Sequence, residues 1–417
     1  MRNARVWAGL LGVKEAIFED VSVEEDEDGD AAAIVVSVRV RRRDGGRCGI
    51  CRRRGPGYDR GEGRRRWRAL DLGTIRSFVE AEAPRVRCGA HGVVVAWVPW
   101  ARHGARSTRS FDDTAAWLVA HTAKSTLVAL LRISWRTVGR IITRVSTEAE
   151  ASRDGFAGLR RIGIDEISYK RGHRYLTVVV DHDSGRLVWI AIGRDEATLH
   201  SFFDRLGAER CLAITLVSAD AAAWIANVVA ERCPHATICM DPFHVCQWAS
   251  RALDEVRREV WNAARRNGQR AIAIELKGAR FALWKNPEDL TERQQDKLAL
   301  IEKTNHRLYR AYLLKEQLRQ VFQLRGSAGI RLLDHWLAWA RRCRIPAFVK
   351  VAASITATRS AIDAGLLHQL SNARVESVNT RLRLLTRIAF GFRSAPALIA
   401  LAMLSLGGLC PPLPGRS

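Results

Sequence analysis

The sequence predicts a multidomain α+β protein, and three observations carry that expectation. Two cysteine-containing knuckles sit in an arginine-rich, strand-prone stretch near the start. A change from helical to strand-like periodicity falls close to residue 159. A wholly helical stretch opens at Phe243 and runs to about Leu367. The chain has 417 residues, room for roughly two to four domains with a sizeable core. It carries 67 Lys plus Arg against 44 Asp plus Glu, a net charge of +23. With 47% hydrophobic residues it is no disordered basic tail. No apolar run reaches the ~18 residues of a membrane helix, and Met1 to Leu10 lacks the apolar core of a secretory signal. The expectation is a soluble cytoplasmic, nucleoid-associated protein with a polyanionic partner. Only nine of the basic residues are Lys. An Arg bias suits bidentate phosphate contact, although GC-rich coding produces the same bias.

Residues 1–109 are expected to form a zinc-binding β segment that recognises DNA. Cys48 and Cys51 form a C-x2-C knuckle, and Cys88 and His91 a C-x2-H knuckle. Two such knuckles supply the four ligands of one tetrahedral structural zinc, and Gly49, Gly89 and Gly92 allow the tight turns. The competing reading is buried thiols and an incidental His. The other six cysteines show no paired spacing and read as small hydrophobes. Between Arg41 and Arg109 there are 18 basic and 6 acidic residues, a local excess of +12. Arg64, Arg65, Arg66 and Arg68 are its densest run and are candidate phosphate contacts.

Residues 110–151 read as a helix-turn-helix. Phe111, Ala115, Leu118 and Val119 share a face, and Ser125 to Leu131 forms a short second helix. Ser134 is placed to N-cap a third helix whose buried stripe is Val138, Ile141, Ile142 and Val145. Arg136, Thr137, Arg140 and Arg144 are expected on its outer face, where the Arg side chains would meet DNA.

After a linker at Ser152 to Gly158, residues 159–248 read as the first part of an α/β domain. Leu159 to Ile167, Tyr175 to His182 and Leu187 to Ile192 are strands, the last two joined by Asp183-Ser184-Gly185. A helix near Leu199 to Leu206, a strand at Leu212 to Val217, a helix at Ala221 to Glu231 and a strand at Thr237 to Met240 follow. Three antiparallel strands followed by alternating helix and strand is the order of a ribonuclease-H-like fold. Residues 249–367 read as an all-helical insertion, and 368–417 as the final helices of the catalytic domain, starting near Asn372 and Pro396.

Three acids stand at telling places in that order. Asp165 lies inside an apolar strand, where an unpaired charge is costly. Asp220 follows the fourth strand, at the edge where α/β sheets bind ligands. Glu376 lies on a helix that repeats Glu376, Asn379, Arg383 and Arg387 along one face, suited to a metal beside a phosphate backbone. Singly, each acid has a bland reading as an edge charge, a cap or a surface ion pair. Together they fit two-metal phosphoryl transfer, with oxygen ligands holding two Mg²⁺ ions. Asp241-Pro242-Phe243-His244 adds an auxiliary candidate: Asp241 and His244 belong to the site, or Asp241 is only an N-cap with Pro242 at the first helical position.

These residues resemble insertion-sequence transposases of the ISL-three type, a group of DDE transposases. The resemblance spans the zinc segment, the helix-turn-helix, Gly163-Ile164-Asp165-Glu166, Ser218-Ala219-Asp220, Asp241-Pro242-Phe243-His244-Val245, and Arg374-Val375-Glu376 through Ala389-Phe390-Gly391-Phe392. It implies a catalytic triad of Asp165, Asp220 and Glu376, with the helical block inserted between the second Asp and the Glu. It implies binding of double-stranded DNA at transposon ends and target, Mg-dependent strand cleavage and transfer, and a homodimer or higher homo-oligomer. A DNA-binding regulator without catalysis, or a ribonuclease-H-like nuclease that hydrolyses without joining, are the alternatives.

Overall fold

A computed structural model of the chain describes residues 2–13, 15–170, 172–220, 222–389 and 394–416. The chain divides into two compact units, residues 1–157 with 381–417, and residues 158–380.

The first unit opens with a helix and strand that the sequence reading missed, α1 (Arg2–Leu11) and β1 (Ala16–Glu25). β1 ends in an acidic run, Glu24 to Asp30, whose charges stand exposed at the β1–β2 turn. β2 (Ala31–Val40), β3 (Gly57–Asp59), β4 (Arg64–Arg68), β5 (Arg76–Glu82), β6 (Arg85–Cys88) and β7 (Gly92–Val95) follow. One sheet has the order β1-β2-β5-β4, with β2 and β5 parallel, and a smaller one the order β3-β6-β7. Alternating residues of β5, such as Ser77, Val79 and Ala81, are buried, and Trp67, Val79 and Trp100 sit in the core of this region.

Three helices come next: α2 (Arg109–His121), α3 (Lys124–Leu131) and α4 (Trp135–Ser152). Thr108 and Ser134 cap α2 and α4 through their side chains, accepting from Phe111 N and Thr137 N. The expected stripe of Val138, Ile141, Ile142 and Val145 is buried.

The second unit is built on a five-stranded sheet: β8 (Arg161–Lys170), β9 (Arg174–Asp181), β10 (Leu187–Ile192), β11 (Leu216–Ala219) and β12 (Thr237–Met240). Its order is β10-β9-β8-β11-β12. β8, β9 and β10 pair antiparallel, whereas β11 lies parallel to both β8 and β12. Residues 176–180 of β9 are buried without a break, as expected of a strand covered on both faces. Helices α5 (Glu196–Leu206), α6 (Ala208–Ala213) and α7 (Ala223–Arg232) connect the strands. The fourth strand starts at Leu216, later than the expected Leu212, because the short α6 takes up residues to Ala213.

From Pro242 the unit is helical: α8 (Pro242–Arg266), α9 (Arg270–Gly278), α10 (Arg280–Trp284), α11 (Glu292–Thr304), α12 (His306–Leu324), α13 (Gly326–Arg342), α14 (Pro346–Ala357) and α15 (Arg359–His368). Ala252, Leu253 and Val256 of α8 share one core with Leu308, Tyr312, Leu318 and Trp336. α16 (Ala373–Ile388) follows, and its residues up to Thr380 count with this unit.

The final helix, α17 (Ala395–Leu406), counts with the first unit. Leu401, Leu404 and Leu409 pack with Phe111, Leu127, Val138 and Ile141 in one core. An apolar helix with no polar face needs cover on every side, and the helices 109–152 provide part of it. The Phe390-Gly391-Phe392 motif lies outside the described residues. No helix among the described residues is long and apolar enough to cross a membrane.

Candidate functional site

In the second unit, strand register brings the aspartates to one edge. Gly163 of β8 is level with Ser218 of β11, and Ala219 of β11 with Met240 of β12. Asp165 and Asp220 each lie two residues beyond their paired positions, and Asp241 follows Met240 directly. Three adjacent parallel strands therefore deliver an aspartate to the carboxyl end of the sheet, where α/β folds place ligands.

α16 adds Glu376 and Asn379. Glu376 is exposed, whereas Asn379 is buried and donates from Nδ2 to Asp165 Oδ2 at 2.7 Å. The other oxygen of Asp165 accepts from Glu166 N at 2.8 Å. Asn379 Oδ1 is buried without a hydrogen-bond partner. Burial pushes the Asp165 carboxyl up to about 6, and the charges of Asp220 and Glu376 add to the rise. Burial also raises Glu166, which sits beside Arg194 at 3.6 Å.

Asp241 occupies the N-cap position of α8 with Pro242 first in the helix, but its side chain does not cap. Its carboxylate turns inward, only 3% exposed. Oδ1 accepts from Asn372 N at 3.1 Å, and Oδ2 meets His244 Nδ1 at 3.3 Å. The N-cap reading accounts for the position of Asp241 and not for its bonds. That hydrogen bond raises the His244 pKa, with Asp220 and Asp165 contributing.

Beneath Asn372 runs a buried polar chain that sequence reasoning missed. Asn372 accepts from Ser218 Oγ, which also bonds His182 Nε2 at 2.7 Å. Burial holds His182 down at about 4, neutral at physiological pH. Arg374 Nη1 donates to the carbonyls of His182 and Asp183. Together these bonds seat the first turn of α16 on the sheet. Gly163 lets it come close: a Cβ there would overlap Val375 and stand 2.8 Å from His182 Nε2. The signal for this layer was a His in an apolar strand end and an Asn just ahead of a helix, both ordinary in isolation.

In the first unit the four proposed zinc ligands converge. Cys88 Sγ lies 3.5 Å from His91 Nδ1, Cys48 Sγ lies 3.7 Å from it, and Cys51 Sγ lies 3.6 Å from Cys88 Sγ. All four ligand atoms fall within 4.8 Å of one another. With zinc–sulfur bonds of about 2.3 Å, tetrahedral ligands sit at this spacing. Cys88 ends β6 and His91 lies in the turn to β7, where Gly92 takes a φ of +67°. Gly49 is required for another reason: a Cβ would meet Val95 O at 2.5 Å. The Ala90 N–H and the His91 ring lower the Cys88 thiol to about 6. These four residues fit a structural zinc.

The candidate phosphate contacts separate into two groups. Arg64 and Arg66 both pair with Glu80, and Arg66 also with Glu24 at 2.7 Å. Arg65 donates to Ala105 O at 2.8 Å and stacks on Trp67. Arg68 pairs with Asp71 and is nearly buried. Arg144 does not face outward as expected: it binds the fully buried Asp112 at 2.7 Å. Arg102 lies 3.7 Å from the same carboxylate and also pairs with Asp113 and Glu148. By contrast, Arg136 and Arg140 on α4 are exposed, as are Arg383 and Arg387 on α16.

Comparison with known proteins covers both units. Residues 44–91 match the zinc-finger of transposase IS204/IS1001/IS1096/IS1165, residues 98–146 the helix-turn-helix domain of transposase family ISL3, and residues 162–402 a transposase family. The chain is 59% identical to the transposase for insertion sequence element IS1557 of Mycobacterium tuberculosis, across 100% of this chain and 98% of that one. It is 25% identical to the transposase for insertion sequence element IS1001 of Bordetella parapertussis, across 78% of this chain and 81% of that one.

Proposed function

Because the chain belongs to the insertion-sequence transposases of family ISL3, we propose that it binds the terminal inverted repeats of its element, cuts the ends and joins them to target DNA. Asp165, Asp220 and Glu376 are the catalytic carboxylates of this proposal. The observation that carries it is the delivery of Asp165 and Asp220 to one sheet edge, with Asp165 bonded to the helix that bears Glu376.

The residues fit hard divalent cations. Burial and the charges of Asp220 and Glu376 raise the proton affinity of Asp165, which a cation relieves, and Asn379 Oδ1 is a buried oxygen lacking a partner. Asp165, Asp220 and Glu376 would hold two Mg²⁺ ions, whose chemistry there would be to polarise the attacking water or 3′-hydroxyl and the leaving oxygen. Asn379 fixes the Asp165 carboxylate, and Asp241 holds Asn372 and His244 beside it. The strand order and the helical stretch between Asp220 and Glu376 support a ribonuclease-H-like catalytic domain, 159–248 with final helices in 368–417, carrying an all-helical insertion at 249–367.

The zinc segment, with Arg136 and Arg140 of the helix-turn-helix, would read the repeats, while Arg383 and Arg387 would contact phosphates. Arg64, Arg66 and Arg68 through their ion pairs, and Arg65 through Ala105 O and Trp67, would support that surface, exchanging partners for phosphate only where exposed. Pairing two ends calls for a homodimer or higher oligomer working at the chromosome.

The test is Glu376→Gln in full-length protein on duplexes carrying the element's ends. It should bind them with wild-type affinity and neither cleave nor join strands in Mg²⁺. Full cleavage by folded Glu376→Gln protein would remove the triad assignment. Cleavage without joining by the wild type would favour a nuclease, and specific binding with neither would favour a regulator.

A further inference from the structure

The α8 helix begins in the acid cluster with Asp241 and His244 and then leaves it. Phe243, Gln247, Arg251 and Arg258 recur at intervals of four, four and seven along it, so they form one stripe about 22 Å long. That stripe is one wall of a groove of about 480 Å³, and Arg280 and Trp284 of α10 supply the other. Phe243 is 57% exposed, although its ring lies 6.0 Å from that of His244 in the cluster. Trp284 is 39% exposed with the Arg280 guanidinium 4.0 Å from its ring centre. The one acid lining the groove, Asp254, is already neutralised by Arg257 at 2.8 Å and Arg258 at 3.2 Å. The groove therefore offers two aromatic rings and an excess of guanidinium charge, starting at Phe243 beside His244.

We propose that this groove is a single-strand site, which holds unpaired nucleotides of the DNA strand being processed. Bases stack on Phe243 and Trp284, and Arg251, Arg258 and Arg280 follow the phosphates. Aromatic rings stack on any base with its face uncovered, and guanidiniums track the backbone, so this pairing binds single strands irrespective of sequence. A duplex keeps its base faces covered and offers these rings nothing unless nucleotides leave the stack. The occupant rests on the reading of the acid cluster as a DNA-processing centre, but its test does not depend on cleavage.

Full-length protein is titrated into fluorescein-labelled dT12 and read by anisotropy, alongside a duplex carrying the element's ends. Phe243→Ala and Trp284→Ala should each weaken dT12 binding about tenfold, Trp284→Phe should restore most of it, and duplex affinity should not change. Irradiated dT12 bearing 5-bromouracil should form an adduct at Phe243 or Trp284. A folded double variant that binds dT12 within twofold of wild type, or an adduct mapped elsewhere, overturns the proposal. That result would point to a protein segment as the occupant. Should Trp284→Ala unfold, the exposed Phe243 and the adduct position decide. Loss of dT12 binding in a protein that never cleaves DNA would leave the groove standing and sink the catalytic reading. Cleavage by a wild type whose double variant still binds dT12 would do the reverse.

Discussion

Asn379 donates a 2.7 Å hydrogen bond to Asp165, across a sequence gap of 214 residues. It ties the helix carrying Glu376, one turn earlier, to the strand carrying Asp165. Asn379→Ala should lower single-turnover strand cleavage by about a hundredfold, the scale for a catalytic group displaced by about 1 Å. End binding should be unaffected, and the melting transition should fall only slightly. Unchanged cleavage would mean that this bond does not position the two acids.

Asp165 should also make the metal-free protein less stable at neutral pH. Its folded pKa of about 6 lies above the ordinary aspartate value of 3.8. Below the lower value both states are protonated and the difference vanishes. As pH rises through the interval the fold loses up to about 3 kcal/mol relative to the unfolded chain, and the loss is complete above the folded pKa. Asp165→Asn should therefore raise the melting temperature at pH 7.5 without metal, by less than that full amount because one amide oxygen cannot accept both the Glu166 and the Asn379 bonds. Near pH 4 the gain should shrink towards zero. Mg²⁺ should stabilise the wild type and leave the variant unmoved.

The zinc site gives a stoichiometry to measure. Purified protein should carry about one tightly held zinc per chain. Cys48→Ser/Cys51→Ser should lose it along with binding to the element's ends, since the knuckles have few apolar residues beneath them besides the ligands themselves. His91→Cys should keep the metal, and His91→Ala should bind it more weakly. A folded, DNA-binding protein without zinc would contradict this.

Arg144 and Arg140 sit four residues apart on one helix and should behave oppositely. Arg144→Ala strands a buried carboxylate that keeps only its more distant Arg102 partner and Ser107. It should cost about 3 kcal/mol in a denaturation experiment. Arg140→Ala should leave stability unchanged and reduce the salt dependence of end binding by about one phosphate contact.

Much of this was legible from residues because the signals were local. Ser134 announced the start of α4, and the two x2 spacings announced the ligand set. Where burial depends on distant packing, the sequence was silent. Arg144 looks like its neighbour Arg140 until Asp112 is placed beneath it. Asp241 looks like a simple cap until Asn372 arrives from 131 residues away to take its oxygen. α1 and β1 went unread because an acidic run masked the strand's end. The position of α17 could not be read from its composition, since an all-apolar helix does not say which core it completes.

That position sets an order of synthesis. The helices at 109–152 leave the ribosome early, yet residues 395–409 close their core, and these emerge only after residues 158–380. The nascent recognition unit must wait, open on one side, while the 223 residues of the other unit, 158–380, are made between its halves. A gene copy that acquires a stop codon before Ala395 should thus yield no stable DNA-binding remnant, and expression of residues 1–394 would show it. Decayed copies of the element would then fall silent altogether, leaving no truncated competitor to occupy the ends of intact ones.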